Sequence, residues 1–251
     1  MWFDETVVEA VVDALPLWAA VLLVCLSYLG SIYLIMPMTV LAYLRGNSWR
    51  MATWPGTVLG AYALFVALKP LTDISRPSER GVESPLVDQS LPAGFDLLHQ
   101  LAVEFDTASF PSGHAVAATV FIGLVVADVD IGTRRQRLAA GVVWLTLVLV
   151  SRVGLGVHYV GDIVGGVLFG LAFLGLVFLL RGRLRTRSWQ GIGPADGTLL
   201  LAAVLAVTAI LVGRPVDGGL LLTAIGAGLL THRLFKPSEI ELRSLYTDTI
   251  D

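Results

Sequence analysis

Residues Ser151–Leu180 read SRVGLGVHYVGDIVGGVLFGLAFLGLVFLL, a short polar motif followed by a long apolar run. Between Tyr159 and Leu180 the only charged residue is Asp162. This run is long enough to cross a bilayer as a helix, which takes about 20 residues. Small residues recur along it at a spacing that lets helices approach closely in lipid. They are Gly161, Gly165, Gly166 and Gly170. The stretch therefore predicts a closely packed membrane-spanning helix that begins beside charged side chains.

The rest of the chain has the composition of an integral membrane protein. Hydrophobic residues make up 55% of the 251 positions, charged residues make up 15%, and the mean hydropathy is +0.77. Soluble domains usually carry roughly 25% charged residues. No alternation with a period of two residues suggests a membrane barrel. We therefore predict an all-α, polytopic membrane helix bundle with about seven transmembrane helices.

Seven apolar runs are the predicted spans. They are Leu15–Leu44, Thr53–Leu68, Ala115–Ala127, Leu138–Val150, Tyr159–Leu180, Leu199–Val212 and Leu220–Leu230. The first is long enough to tilt or to kink near Pro37. We divide the chain into an acidic segment 1–14, a membrane core 15–182 with a polar site loop 69–114, additional spans within 197–232 and a tail 233–251. The acidic start lacks the positive region of a cleavable signal peptide, so none is expected.

The distribution of basic residues predicts how the bundle is oriented, because Lys and Arg in short loops favour the cytoplasm. One arrangement places twelve of the 17 basic residues inside: Arg45, Arg50, Arg134, Arg135, Arg137, Arg181, Arg183, Arg185, Arg187, Arg233, Lys236 and Arg243. The other five lie outside: Lys69, Arg76, Arg80, Arg152 and Arg214. We therefore predict a multi-pass cell-membrane protein with an extracytoplasmic amino terminus and a cytoplasmic carboxyl terminus.

The polar start of the opening stretch combines three side chains that suit phosphate chemistry. His158 and Asp162 are four residues apart and share one face of a helix. Asp162 can then hold one imidazole nitrogen and raise the basicity of the other, as a nucleophile or general base requires. Arg152 precedes them and can present a forked guanidinium to phosphate oxygens. Taken alone, the His–Asp pair also fits a polar contact at a helix end.

A second motif, PSGH at 111–114, stands at the entry to the third predicted span. Ser112 is a natural N-cap, and Gly113 lets free backbone amides and the positive helix end approach an anion. His114, in the first turn, is then near enough to give a proton to a departing oxygen. A helix-capping turn explains the motif equally well when it is considered alone.

Lys69 and Arg76 form a third motif at the outer end of the second span, ending in Pro77. Alone they fit interfacial residues that extend their charges toward water. Together with Arg152 they place three cations on one predicted face. Positive charge of that density beside membrane spans is costly and calls for a strongly anionic partner, for which phosphate is the obvious candidate.

The three motifs resemble those of the type 2 phosphatidic acid phosphatase superfamily, whose membrane members include lipid phosphate phosphatases and undecaprenyl pyrophosphate phosphatases. Each motif is complete, and the three occur in order: Lys69-x6-Arg76-Pro77, Pro111-Ser112-Gly113-His114 and Ser151-Arg152-x5-His158-x3-Asp162. Among the predicted spans we accordingly expect a five-helix catalytic core. The flanks differ, since only two spans precede the first motif where many members have three.

The resemblance implies a role for each site residue. His158 would attack phosphorus and become a phosphohistidine, with Asp162 orienting it. His114 would protonate the leaving group and later activate water. The remaining site residues would hold the phosphoryl oxygens: Lys69, Arg76, Ser112, Gly113 and Arg152. No metal and no cofactor are expected, because the cationic side chains do what a metal does elsewhere.

The implied activity is hydrolysis of a phosphomonoester or pyrophosphate on a membrane lipid at the outer face. The expected partners are a lipid phosphate or polyprenyl pyrophosphate substrate and membrane lipids, with no nucleic acid; the sequence leaves the oligomeric state open. One alternative is a phosphotransferase, in which another alcohol takes the phosphoryl group from His158. Two further alternatives are a vanadium-dependent haloperoxidase and a protein that transports or binds lipid headgroups.

Two further features are interpreted without a catalytic role. Residues Phe95–Phe105 have the apolar face of an amphipathic helix, which would lie on the lipid surface or pack on the outer loops. His99 lies within this segment as an ordinary polar-face histidine. His232 falls on the inner side of the membrane and is assigned no role.

Overall fold

The computed structural model describes residues 2–46, 48–86, 93–103, 107–186 and 191–235, and the regular structure in these ranges is helical. The helices are α1 Glu5–Asp13, α2 Leu17–Ser27, α3 Ile32–Arg45, α4 Trp49–Ala52, α5 Trp54–Leu68, α6 Ala93–Val103, α7 Gly113–Asp128, α8 Arg134–Gly154, α9 Val160–Thr186, α10 Pro194–Leu211 and α11 Pro215–Phe235. Short 3-10 turns lie at Tyr28–Gly30, Lys69–Leu71 and Ser78–Arg80. The predicted all-α fold is confirmed.

Five helical segments in the described ranges are long and apolar enough to cross a membrane. They are Leu17–Arg45, Trp49–Leu71, Arg134–Gly154, Val160–Thr186 and Pro194–Leu211. The other two predicted spans are helices as well. However, α7 has only 16 residues, and α11, with 21 residues, lies outside the set of five. The chain is therefore a multi-pass helical membrane protein with five clear candidate spans, where the sequence indicated about seven.

The first span is interrupted at a place that the sequence did not indicate. After α2 ends at Ser27, one 3-10 turn follows, and Ser31 has an extended backbone before α3 begins. Pro37, where we expected a kink, lies inside α3. A Cβ built on Gly30 would come within 3.2 Å of the His114 Cβ, so the interruption lies directly against the second motif. Sequence spacing does not encode this close approach.

The chain divides into two compact units, residues 1–37 with 68–172 and residues 38–67 with 173–251. Every predicted site residue belongs to the first unit. One buried cluster of this unit joins α2, α6 and the loop that follows α8, through Leu23, Ala102 and Leu155. The cluster includes Val157, so apolar burial helps to hold the segment that carries His158.

The glycines of α9 let the second motif pack directly on this helix. A side chain at Gly165 would collide with the Phe110 ring, and a Cβ at Gly166 would lie 2.8 Å from the Ser112 carbonyl oxygen. Because real Cβ atoms do not come this close to backbone, the two segments can approach to this distance only where the side chain is a hydrogen. The predicted packing role of these glycines is confirmed, and its effect is to seat the second motif against the third.

The amino-terminal segment also packs against the start of α9 and the residue before the second motif. The Gly161 N–H donates to the Trp2 carbonyl at 2.8 Å, and the Phe3 ring lies edge-on to the rings of Phe110 and Tyr159, at 5.9 Å in each case. Helix α1 continues this contact by burying Val8 and Val12 in a cluster with Tyr159. The first residues of the chain thus support the start of α9.

The second unit is held by close contact between α10 and the region of α4 and α5. The Thr198 hydroxyl donates to the Thr53 carbonyl at 3.3 Å, and a Cβ at Gly56 would lie 2.5 Å from the Leu199 nitrogen. The guanidinium carbon of Arg185 lies 4.6 Å from the centre of the Trp49 ring. These contacts give the additional spans a packing role.

Candidate active site

Lys69 stands where α5 passes into a 3-10 turn. The side chain is buried, and the ammonium donates to the Thr107 hydroxyl at 2.9 Å and to the Ala108 carbonyl at 2.7 Å. Such contacts partly replace lost hydration around a buried cation. They also tie the first motif to the segment that leads into the second.

Arg76 joins all three motif regions. Its Nε donates to the Thr107 carbonyl at 2.8 Å, and its Nη1 donates to the Val157 carbonyl at 3.0 Å. Nη1 is also 3.4 Å from Nε2 of His158. Arg76 is only 2% exposed, so these contacts hold one guanidinium in a fixed orientation beside the imidazole.

His158 and Asp162 lie together as the four-residue spacing predicted. His158 sits in the turn just before α9, and its Nδ1 is 3.2 Å from the Asp162 carboxylate oxygen Oδ2. The same oxygen accepts the Tyr159 N–H at 2.8 Å and the Ser109 hydroxyl. His158 is 2% exposed and Asp162 is fully buried. A carboxylate with this many donors is well suited to orient an imidazole.

The neighbours of the imidazole determine which nitrogen carries the proton. A guanidinium has only donors, so the nitrogen that faces Arg76, Nε2, must be the acceptor. Nδ1 therefore carries the proton and donates toward Asp162. This tautomer leaves the Nε2 lone pair on the side of the cationic residues, where an anionic group would bind.

Burial lowers the pKa of His158 well below its usual 6.5, and nearby positive charge lowers it further. The residues whose charges contribute are Arg76, Arg152, Lys69 and His114. Such an influence requires proximity, since charge–charge interactions weaken with distance. The structure thus places Arg76 and Asp162 directly on the imidazole, and burial together with the surrounding positive charge favours its neutral form.

The second motif begins α7, and its backbone is tied directly to the third motif. The Ser112 N–H donates to the Asp162 carbonyl at 3.1 Å. Ser112 occupies the N-cap position, but its side chain makes no capping hydrogen bond, so the predicted capping role of the hydroxyl is wrong. The hydroxyl oxygen is instead buried without a hydrogen-bond partner among the described residues. A buried polar atom left in this way is costly, which fits a group that binds a ligand.

His114 and Gly113 follow in the first turn of α7 and are partly exposed, in contrast to the buried Ser112. Arg152 comes from the last turn of α8 and is completely buried. Its Nη2 donates to the Ala102 carbonyl of α6 at 3.0 Å. A contact with α6 thus helps to fix Arg152, the predicted phosphate-binding arginine of the third motif.

Thr107 and Ser109 are part of the site, although sequence reasoning missed both. Thr107 accepts hydrogen bonds from Lys69 and Arg76, and Ser109 contacts both His158 and Asp162. Their position just ahead of the PSGH motif was the only available signal. Hydroxyl residues are common in loops, so that position alone does not distinguish them.

The two other histidines lie outside this cluster. His99 is buried, and its Nε2 is 3.0 Å from the Ser84 hydroxyl, so the interpretation as a polar-face histidine is wrong. It is buried because α6 packs its Ala102 side inward and leaves Leu97 and Leu101 exposed. Phe105, part of the predicted apolar face, lies outside the described residues. In the second unit, His232 Nδ1 is 3.3 Å from the Tyr43 hydroxyl.

Comparisons with known proteins place these features in a family. The model of the PAP2 superfamily matches residues 51–186, more than half of the chain and all three motifs. Phosphatidylglycerophosphatase B of Bacillus subtilis (strain 168) is 29% identical over 191 residues, which are 71% of this chain and 82% of the relative.

The fold is similar to a solved structure as well. The crystal structure described as the first transmembrane PAP2 type phosphatidylglycerolphosphate phosphatase from Bacillus subtilis has a TM-score of 0.56 and 24% sequence identity. The similarity covers 72% of this chain and 85% of that chain and supports the helical membrane fold. With the family model matched across its catalytic motifs, the chain belongs to the PAP2 superfamily and is a phosphatase.

Proposed function

We propose that the protein hydrolyses a phosphate ester or pyrophosphate of a membrane lipid through a phosphohistidine formed on His158. The observation that carries this proposal is the fixed neutral imidazole, with Nδ1 directed to Asp162 and Nε2 directed toward the cations. A nucleophile needs a lone pair at the reacting position, and this tautomer places one on Nε2, where it faces Arg76 until phosphate takes up the guanidinium. The site does not need to rearrange its hydrogen bonds to Asp162 before attack.

The proposed reaction has two steps. The His158 Nε2 forms a bond to phosphorus while the bond to the leaving oxygen breaks, and His114 gives that oxygen a proton. In the second step His114 takes a proton from water, whose oxygen attacks phosphorus and releases His158. Phosphoryl transfer spreads negative charge over the equatorial oxygens, so fixed positive groups around them lower the barrier.

The proposed phosphate-binding groups are the side chains of Lys69, Arg76, Arg152 and Ser112 with the Gly113 amide. When phosphate enters, the Arg76 guanidinium is already beside Nε2 and can take up an oxygen next to the reacting nitrogen. We propose that these groups replace a metal ion. Phosphate release should therefore persist in EDTA, whereas a metal-dependent enzyme would be inhibited.

The proposed substrate is a lipid because the chain is a multi-pass membrane protein. The name of the Bacillus subtilis relative makes phosphatidylglycerol phosphate the first compound to test. Phosphatidic acid, undecaprenyl pyrophosphate and a small soluble phosphate ester complete the panel. We further propose that the site faces the outside of the cell, as the distribution of basic residues indicates.

The test is phosphate release by purified protein in detergent across this panel, with His158→Ala and His114→Ala as variants. Both should lose turnover, and only the second should still accumulate phosphoenzyme from a substrate with a good leaving group. Unchanged phosphate release from His158→Ala would contradict the phosphohistidine mechanism. Transfer of phosphate to an added alcohol without release to water would instead identify a phosphotransferase.

A further inference from the structure

Ser109 lies at the junction of the three motifs but belongs to none of them. Its hydroxyl donates to Asp162 Oδ2 and lies 3.3 Å from the His158 Nδ1, and its own N–H donates to the Ile74 carbonyl at 2.7 Å. Ile74 belongs to the loop between Lys69 and Arg76. Ser109 is fully buried, so water does not compete for these hydrogen bonds.

The direction of each hydrogen bond follows from the tautomer. Because the Nδ1 of His158 carries the proton, it can donate to Asp162 Oδ2 directly, at 3.2 Å, or to the Ser109 oxygen. Ser109 has one hydroxyl proton, which goes to the carboxylate, and its lone pairs remain for Nδ1. The imidazole N–H thus faces two acceptors, Asp162 Oδ2 and the Ser109 oxygen, and the Ser109 hydroxyl in turn donates to Asp162.

Without Ser109, the donors to Asp162 Oδ2 among the described residues would be the Tyr159 N–H and the imidazole. Both of these come from the chain immediately before Asp162 in sequence. Ser109 is the donor in this set that comes from a distant segment, 53 residues away. It is therefore the contact that ties the carboxylate to the segment bearing Thr107 and, through Thr107, to Lys69 and Arg76.

We infer that Ser109 is a positioning residue for the nucleophile: it fixes the Asp162 carboxylate and thereby holds the His158 imidazole in line with the bound phosphorus. The inference rests on the proposed function, because it concerns the formation of the phosphohistidine. The Ser109 hydroxyl bonds Asp162 and His158, neither of which is among the proposed phosphate-binding groups. Its loss should slow attack and leave phosphate binding unchanged.

The experiment measures phosphoenzyme formation by rapid quench, using full-length protein and a lipid substrate labelled with ³²P. Replacing Ser109 by Ala should slow labelling of His158 by about 10- to 100-fold, the usual effect of removing a group that orients a reacting residue. The inhibition constant of inorganic phosphate should stay within about twofold, as expected when a group acts on attack rather than on binding. Ser109→Thr, which keeps the hydroxyl, should restore most of the rate.

Ser27→Ala is the matched control. Ser27 is also buried and donates its hydroxyl to one carbonyl, that of Val24 at 2.8 Å, far in sequence from the motifs. It should label at the wild-type rate. If Ser109→Ala labels as fast as Ser27→Ala, or if it loses phosphate affinity in parallel with rate, the inference is overturned.

A double-mutant cycle tests whether Ser109 acts through Asp162. The pair Ser109→Ala with Asp162→Ala should be no slower than Asp162→Ala alone, since the carboxylate that Ser109 holds is already gone. Additive losses would overturn the inference. Absence of any label on His158 in the wild-type protein would refute the proposed mechanism itself, and the role of Ser109 with it.

Discussion

Among single residues, Arg76 has contacts that a lysine cannot reproduce. Its guanidinium bonds the Thr107 carbonyl, the Thr107 hydroxyl and the Val157 carbonyl while Nη1 faces the imidazole. A planar fork makes these contacts at once, whereas an ammonium is a single point of charge. The orientation of the charge, and not its presence alone, should therefore matter for catalysis.

We predict that Arg76→Lys lowers kcat/KM by at least about 10²-fold, comparable to the loss of one oxyanion donor in other enzymes. The measurement is phosphate release under subsaturating substrate. Arg80→Lys serves as control. Arg80 is exposed, and its ion pair with Glu5, at 3.9 Å, is of the surface kind that contributes little to stability. Equal effects of the two substitutions would count against a directed role for Arg76.

The lowered pKa of His158 leads to a second prediction. Because protonation of His158 removes its lone pair, and its pKa lies below the usual 6.5, the residue should stay reactive until the pH falls below that value. Modification of His158 by diethyl pyrocarbonate without substrate, followed by mass spectrometry of the peptide, should have its midpoint below pH 6.5. Arg76→Ala should raise the midpoint by removing a neighbouring charge, and a midpoint above 6.5 in the wild type would refute the expectation.

Among the helices, α9 does the most to assemble the site. It begins two residues after His158, carries Asp162 in its first turn, and packs its glycines against the second motif. The Ser112 N–H bonds its backbone at Asp162. Two motifs separated by some fifty positions are therefore seated on one helix, and the spacing of the glycines sets how closely they approach.

Gly166→Ala should disturb this seating. The new Cβ would lie 2.8 Å from the Ser112 carbonyl and 2.7 Å from the Ala115 Cβ, so the PSGH segment would have to move. We predict a fall in kcat of about 10²-fold, as small displacements of reacting groups cause. Gly175→Ala, on the same helix with open space around it, should retain activity. Normal kcat in Gly166→Ala would show that the close contact is dispensable.

Much of this site was predictable because its signals are local. The spacing of His158 and Asp162 indicates their contact, and the length of the apolar run indicates the helix α9. By contrast, the bond from Ser109 to Asp162 and the approach of Gly30 to His114 join segments that are distant in sequence. Loop hydroxyls and single glycines occur in many settings, so nothing in the sequence identifies these partners.

At the scale of the whole molecule, the distribution of charge gives the remaining prediction. Asymmetry of basic residues orients membrane proteins during insertion, and here it predicts that the three motifs lie outside. In a Cys25→Ser background, a membrane-impermeant maleimide should label Glu83→Cys in intact cells. It should label Arg135→Cys only after permeabilisation; Glu83 and Arg135 are both exposed. Removing Cys25 is necessary because it is exposed. The reverse labelling pattern would invert the proposed orientation.

The bond between the Trp2 carbonyl and the Gly161 N–H has a practical consequence. Trp2 therefore lies against the start of α9, three residues after His158 in sequence, and a purification tag at the amino terminus would be attached next to this contact. A bulky fusion at that end would push on the rings of Phe3 and Tyr159 and lower turnover without altering any motif. Tags for kinetic work therefore belong at the opposite end of the polypeptide.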